Sequence, residues 1–232
     1  MSNQGDDAVP LLAARDLAKN HGRTRALSGA SVALGVGEIL AVTGTSGSGK
    51  STLLHCLSGI VRPDAGTVTY GGERLDELPE KRLSELRRTE FGVVFQFGQL
   101  IPELTAVDNV ALPLLLAGAS RADARAGAGE WLERFGVRGQ AELRPGELSG
   151  GQAQRVALAR ALVTGPRVVF ADEPTGALDS LASEQVMTAL IGSARESGTA
   201  VLLITHDAQT AAYADREIRL ADGAVATAGV PA

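Results

Sequence analysis

Hydrophobic residues in this chain fall into short unbroken runs separated by amphipathic stretches. Glu38–Thr43, Phe91–Phe95, Arg167–Ala171 and Thr199–Thr205 are each dominated by Val, Ile, Leu, Phe and Ala without polar alternation. Apolar runs of about four to eight residues read as strands buried on both faces. Ser51–Leu57, Ala153–Val163 and Asp179–Ser197 read instead as helices. From Ala153 onward helix and strand alternate, the signature of a parallel α/β core. The first third differs. Val9–Leu17 and Leu27–Leu34 predict strands around a loop at Lys19–Arg25, Arg62–Gly66 a turn, and Thr67–Tyr70 a short strand ended by Gly71 and Gly72. Together these predict a mixed sheet, partly antiparallel at its edge. Pro79–Arg88 predicts a charged surface helix, and Ala221–Gly223 a hairpin turn between two terminal strands.

Between Phe97 and Pro145 the pattern is helical. Leu104–Gly118 is apolar, with a break expected at Pro113. Arg121–Phe135 is amphipathic, with Ser120 as N-cap and Asp123 in the first turn. The expectation is a helical subdomain at about residues 97–145, inserted into a single domain at 9–232. Residues 1–8, polar and acidic, are expected to be disordered. Leu112, Leu114, Leu115 and Leu116 give the insert more apolar surface than a solvated helix needs. Packing between helices and docking of a partner both account for that excess.

Bulk properties narrow the classes. A chain of 232 residues is long enough for one full core. The net charge of −5 argues against a protein whose main business is nucleic acid. One cysteine, Cys56, allows no internal disulfide and reads as a small buried residue. No leader pattern opens the sequence, and no run reaches the ~18 apolar residues of a spanning helix. The expectation is a protein of the reducing cytoplasm that does not itself cross a membrane.

The strongest motif is residues 44–51, Gly-Thr-Ser-Gly-Ser-Gly-Lys-Ser, which fits G-x-x-x-x-G-K-[ST] at every fixed position. A strand precedes it and a helix follows. Gly44, Gly47 and Gly49 allow tight turns, so that successive N–H groups across Gly44, Thr45, Ser46, Gly47, Ser48 and Gly49 form an anion-binding hollow. The helix start at Ser51 and Thr52 adds donors and a favourable dipole. Lys50 can reach terminal phosphates, and the Ser51 hydroxyl is placed to ligate Mg²⁺. Other candidates follow apolar strands, where open α/β sheets place ligands. Asp172 can hold Mg²⁺ directly or through water. Glu173, expected to face differently because strand side chains alternate, is placed to polarise a water attacking the γ-phosphate. Gln96 could contact Mg²⁺ or that water, and His206 could donate to a γ-phosphate oxygen. For Gln96 and His206 taken singly, a structural role fits equally well.

With these residues in view, the chain resembles the ATP-binding cassette (ABC) ATPases. Leu148-Ser-Gly-Gly-Gln152 resembles their signature, Val168–Glu173 their Walker B strand, Ala177–Asp179 their D-loop, Gln96 their Q-loop and His206 their switch histidine. The resemblance spans about residues 10–225. It implies a P-loop NTPase core of α/β class, with an edge antiparallel β subdomain and an inserted α-helical subdomain. It also implies a head-to-tail homodimer in which ATP and Mg²⁺ lie between the phosphate loop of one copy and Ser149, Gly150, Gly151, Gln152 and Asp179 of the other. Phe91–Phe97, Leu104–Val110 and Asp172–Asp179 resemble the bacterial branch serving macrolide efflux, lipoprotein release and the cell-division permease. A membrane permease partner and a peripheral place on the cytoplasmic face follow from that likeness. A soluble non-transport cassette ATPase, or a nucleotide-gated regulator of a membrane signalling partner, is the alternative. Where the family usually stacks an aromatic residue on adenine, this chain has His21.

Overall fold

The computed structural model describes residues 9–96 and 98–226, so the expected disorder of residues 1–8 lies outside the described residues. The strands form two sheets rather than one mixed sheet. The first, in order β2-β1-β4-β5, is antiparallel: β1 (Leu12–His21), β2 (Thr24–Leu34), β4 (Ala65–Tyr70) and β5 (Glu73–Arg74). The second runs β10-β9-β3-β8-β7-β6: β3 (Ile39–Thr43), β6 (Phe91–Val94), β7 (Val168–Asp172), β8 (Ala200–Ile204), β9 (Arg216–Ala221) and β10 (Ala224–Val225). Its strands pair in parallel except in the β9–β10 hairpin.

The loop expected at Lys19–Arg25 is mostly strand. Lys19 pairs with Leu27 and His21 with Thr24, leaving Gly22 and Arg23 as the turn. The carboxylate of Asp64 explains the extension, accepting from Lys19 Nζ and from the Asn20 backbone N–H at 2.7 Å each. These residues are polar because they bind across the sheet edge, and a hydrophobic pattern does not register that.

The helices are α1 (Lys50–Leu57), α2 (Glu80–Thr89), α3 (Ala106–Leu116), α4 (Arg121–Arg134), α5 (Gly150–Leu162), α6 (Ser180–Ser197) and α7 (Ala208–Ala211). The break expected at Pro113 is absent, and α3 continues through it. Proline removes one backbone donor, while Ala106, Val107, Val110 and Ala111 of the same helix are buried. That burial outweighs a single missing bond. Ser120 caps α4 as expected, its hydroxyl accepting from Asp123 N–H at 3.2 Å.

Side chains alternate along a strand, and this divides the core. Leu40, Val42, Phe170 and Leu202 pack with Leu53, Leu54 and Leu57 of α1 and with Leu17 and Leu27 of the antiparallel sheet. Ile39, Val169, Val201 and Leu203 pack on the other face with Val107 and Val110 of α3, Leu132 of α4, Val156 of α5 and Leu190 of α6. The helices of residues 97–145 therefore share their core with α5, α6 and the sheet.

Helix α5 lies unusually close to β6. A Cβ on Gly92 would fall 2.2 Å from the Ala161 carbonyl oxygen. Gly92→Ala must push helix and strand apart, and overpacking of this kind costs roughly 1–3 kcal/mol. Urea denaturation should show that loss. An unchanged midpoint would mean that α5 is not seated as described.

Candidate active site

Strands β3, β8, β7 and β6 are consecutive and parallel, so their C-terminal ends open on one edge. The phosphate loop follows β3, His206 follows β8, Asp172 ends β7 with Glu173 next in the chain, and Gln96 follows β6. All of these reach one cleft of about 570 Å³, which Thr45, Ser46, Gly47, Gly49, Lys50, Ser51 and Thr52 also line. That is an ordinary volume for a small-molecule site. The opposite wall comes from the antiparallel sheet, at Thr24 and Ala26. The sequence reading missed those two. The expected loop ran through Arg25, whereas β2 already starts at Thr24.

The loop's conformation is set by crowding at both ends. Gly44 (φ 148) would place a Cβ 2.2 Å from the Leu220 carbonyl oxygen of β9. Gly49 (φ 101) would place one 2.2 Å from the Ala26 carbonyl oxygen of β2. Gly49 is also the N-cap of α1 and offers no side-chain acceptor to the first-turn N–H groups. Those donors are therefore available to an anion. Lys50 Nζ donates to the carbonyls of Gly44 at 2.8 Å and Thr45 at 2.9 Å, which holds the ammonium over the loop. Gly44 and Ser48 do not line the cleft. Ser48 is buried, and its hydroxyl lies against Gly44 with no hydrogen-bond partner among the described residues.

Asp172 carries the clearest electrostatic mark. Burial pushes its carboxyl above the usual carboxylate range, the neighbouring Ser51 hydroxyl opposes this, and the Glu173 charge adds to it. Glu173 differs from Asp172 for another reason than the alternation expected. The strand has ended, and Glu173 sits in the left-handed region at φ 48, its N–H donating to the Ile204 carbonyl at 2.9 Å. A non-glycine residue held there is strained. Its carboxylate, 13% exposed, lies 2.8 Å from Nδ1 of His206. That contact leaves the histidine's Nε2 for other partners.

The other candidates stand apart. Ser149 caps α5, its hydroxyl accepting from Gln152 N–H at 3.3 Å. The Gln152 side chain accepts from Ser149 N–H at 2.9 Å, completing a reciprocal cap. Gly151 packs against Ala182, and Asp179 caps α6 by accepting from Ala182 N–H at 2.8 Å. These residues share one surface, and none of them lines the cleft. His21 ends β1, exposed, with Nε2 3.4 Å from the Thr52 hydroxyl, beside the cleft rather than in its lining.

Known proteins match this arrangement. The ABC transporter family profile matches residues 27–176. The lipoprotein-releasing system ATP-binding protein LolD of Geobacter metallireducens is 44% identical over 219 residues, covering 93% of this chain and 97% of that protein. LolD of Bordetella pertussis is 47% identical over 222 residues, covering 94% and 96%. Among solved structures, the dimeric bacterial ABC transporter cassette MJ0796 superposes with a TM-score of 0.88 at 37% identity, covering 93% of this chain and 97% of that one. A post-hydrolysis dimer of MJ0796 with ADP and Pi superposes with a TM-score of 0.87, at the same identity and coverage. The chain belongs to the ABC transporter family, as one of its nucleotide-binding, ATP-hydrolysing subunits.

Proposed function

We propose that this chain is the ATPase of a lipoprotein-releasing transporter. In that reading it works as a head-to-tail homodimer with two ATP at the interface, docked peripherally on the cytoplasmic face of the membrane. One observation carries the shared site: the cleft gathers the phosphate loop, Asp172, Glu173, Gln96 and His206, while Ser149–Gln152 and Asp179 face outward elsewhere. An exposed glycine-rich helix start suits the phosphate of a second copy. The dimeric neighbours and the LolD relatives support dimer and substrate class.

Each residue then has a task. The phosphate loop and Lys50 bind the β and γ phosphates, and His21 lies where adenine would meet the protein. Ser51, Asp172 and Gln96 offer only oxygen ligands, which suits a hard cation. Among the described residues no cluster of three or more His, Cys, Asp or Glu could hold a metal by itself. Ser51, Asp172 and Gln96, which line one cleft, would hold Mg²⁺ together with the bound nucleotide. Bound there, Mg²⁺ neutralises charge on the transferring group. Glu173 takes the proton of the water that attacks the γ-phosphorus, and the bridging oxygen leaves with ADP. His206 orients Glu173 through Nδ1, and with both ring nitrogens protonated it donates to a γ-phosphate oxygen through Nε2. Among the described residues no helix is long and apolar enough to cross a membrane. Leu115 and Leu116, 39% and 60% exposed, offer a docking surface for the permease, whereas Leu114 packs inward.

Replacing the proposed base should separate binding from chemistry. Glu173→Gln keeps the shape and loses the proton acceptor, so turnover should fall roughly 10²–10⁴-fold while ATP binding persists. Turnover at the wild-type rate would remove Glu173 from the mechanism.

The shared site predicts complementation. Lys50→Ala and Ser149→Arg should each abolish ATP occlusion alone. Mixed together, they form dimers with one doubly damaged site and one intact site, so occlusion should return in a fraction of dimers. If confirmed subunit exchange gives no rescue at any ratio, the signature does not act in trans.

Asp172 gives a pH prediction. Its folded pKa is raised, so between the unfolded and folded values the native state binds more protons. The carboxylate therefore costs stability increasingly as pH rises through that window, and the cost is complete above it. Asp172→Asn should raise the Tm of the nucleotide-free protein at neutral pH, with the gain vanishing on acidification. It should also raise the Mg²⁺ requirement about 10–100-fold. An unchanged or lower Tm at neutral pH would contradict the electrostatic reading.

A further inference from the structure

The segment around Gln96 is held by the signature helix as well as by its own backbone, where Gly98 N–H donates to the Phe95 carbonyl at 2.9 Å. Arg160, near the C-terminal end of α5, donates to the Gly98 carbonyl at 2.8 Å and to the Gln99 carbonyl at 3.0 Å. These are the only hydrogen bonds of its side chain among the described residues, and no carboxylate pairs with it there. Burial lowers the pKa of this guanidinium from its ordinary value. Gly98 and Gln99 are both left-handed, at φ 66 and φ 44. The turn rests on α5 itself: a Cβ on Gly98 would sit 3.3 Å from Ala157 Cβ and from Gln154 Oε1. Gln154 is 4% exposed, and its Nε2 has no partner among the described residues.

The far side of the segment is fixed too. Asn109, fully buried on α3, accepts from Ile101 N–H at 2.8 Å and donates to the carbonyls of Ile101, Leu104 and Thr105 at 3.0–3.2 Å. Gln96 itself is exposed in the cleft and makes no side-chain hydrogen bond among the described residues. Its position therefore follows the turn, and the turn follows α5. That helix begins at Gly150 of the signature, ten residues before Arg160, a separation of roughly 15 Å in a helix.

We propose that Arg160 is a positioning residue that makes the Gln96 turn and the signature helix one rigid piece. This rests on the shared-site reading above. In a head-to-tail dimer the signature end of α5 serves one ATP and Gln96 serves the other. A shift of α5 when phosphate binds its signature end then moves Gln96 in the opposite site, so Arg160 couples the two ATPs.

The test is a double-mutant cycle on steady-state ATPase activity in the full chain, using Arg160→Lys and Gln96→Ala. Lysine keeps the charge but lacks the planar fork that spans two carbonyls. Arg160→Lys should lower kcat roughly tenfold with KM nearly unchanged, the signature of a misplaced group rather than a lost binding contact. In the Gln96→Ala background the same substitution should have little further effect. A purely structural arginine would give multiplicative losses, and that result, or wild-type kcat in Arg160→Lys, overturns the proposal. Gly98→Ala disturbs the same seat from the loop side and carries the cycle if Arg160→Lys does not fold, with the same two outcomes. If Gln96→Ala alone leaves kcat at wild type, the role given to Gln96 in the cleft fails first, and the coupling fails with it.

Discussion

Two glycines pressed against backbone carbonyls hold the site together. Gly44 meets Leu220 of β9 and Gly49 meets Ala26 of β2, each with no room for a methyl group. The phosphate loop is thus wedged between the parallel sheet and the antiparallel sheet. The terminal hairpin closes the wedge. Gly223 N–H donates to the Ser48 carbonyl at 3.1 Å, and Ser28 donates to Gly223 and Asp222 carbonyls at 2.8 and 2.7 Å. The loop's donors and the ammonium of Lys50 are therefore aimed before any phosphate arrives. Preorganised donors of this kind need no rearrangement on binding.

The second half of the chemistry depends on what the isolated chain leaves satisfied. Ser149 and Asp179 already spend their side chains capping α5 and α6, so exposing them costs little. In the proposed dimer, phosphate bridging the two copies, rather than direct contact between these caps, supplies the attraction. Such an interface opens when the bridging group is lost, which is what a hydrolysis-driven clamp requires. In the proposed mechanism Glu173, strained and tethered to His206, sits where that loss occurs.

The residues proposed to meet phosphate were legible because each lies at the end of an apolar strand or in a glycine motif, and both are local patterns. The four strands of the parallel core followed from the same runs, whereas their order in the sheet did not. Thr24 and Ala26 were not legible, since their place in the cleft wall comes from packing between two sheets distant in sequence. Helix α7, four residues capped by Asp207, is too short to show a period. Pro113 misled because local propensity was weighed without the burial that overrides it. The run Leu112–Leu116 could not be divided into packed Leu114 and exposed Leu115 and Leu116 until the helix had a direction. Arg160 looks like any arginine on an amphipathic helix; only the carbonyls it meets mark it out.

Vanadate-directed photocleavage tests the shared site most directly. Vanadate trapped with ADP stands in for the γ-phosphate, and light cuts the backbone nearest to it. Ser149–Gly151 do not line the cleft of their own chain, so cleavage there requires a second copy. A shared site predicts cuts both within residues 44–51 and within residues 149–151, the latter lost when dimer formation is blocked. Cuts confined to the phosphate loop and the strand ends, in a sample proven to trap vanadate, would contradict it.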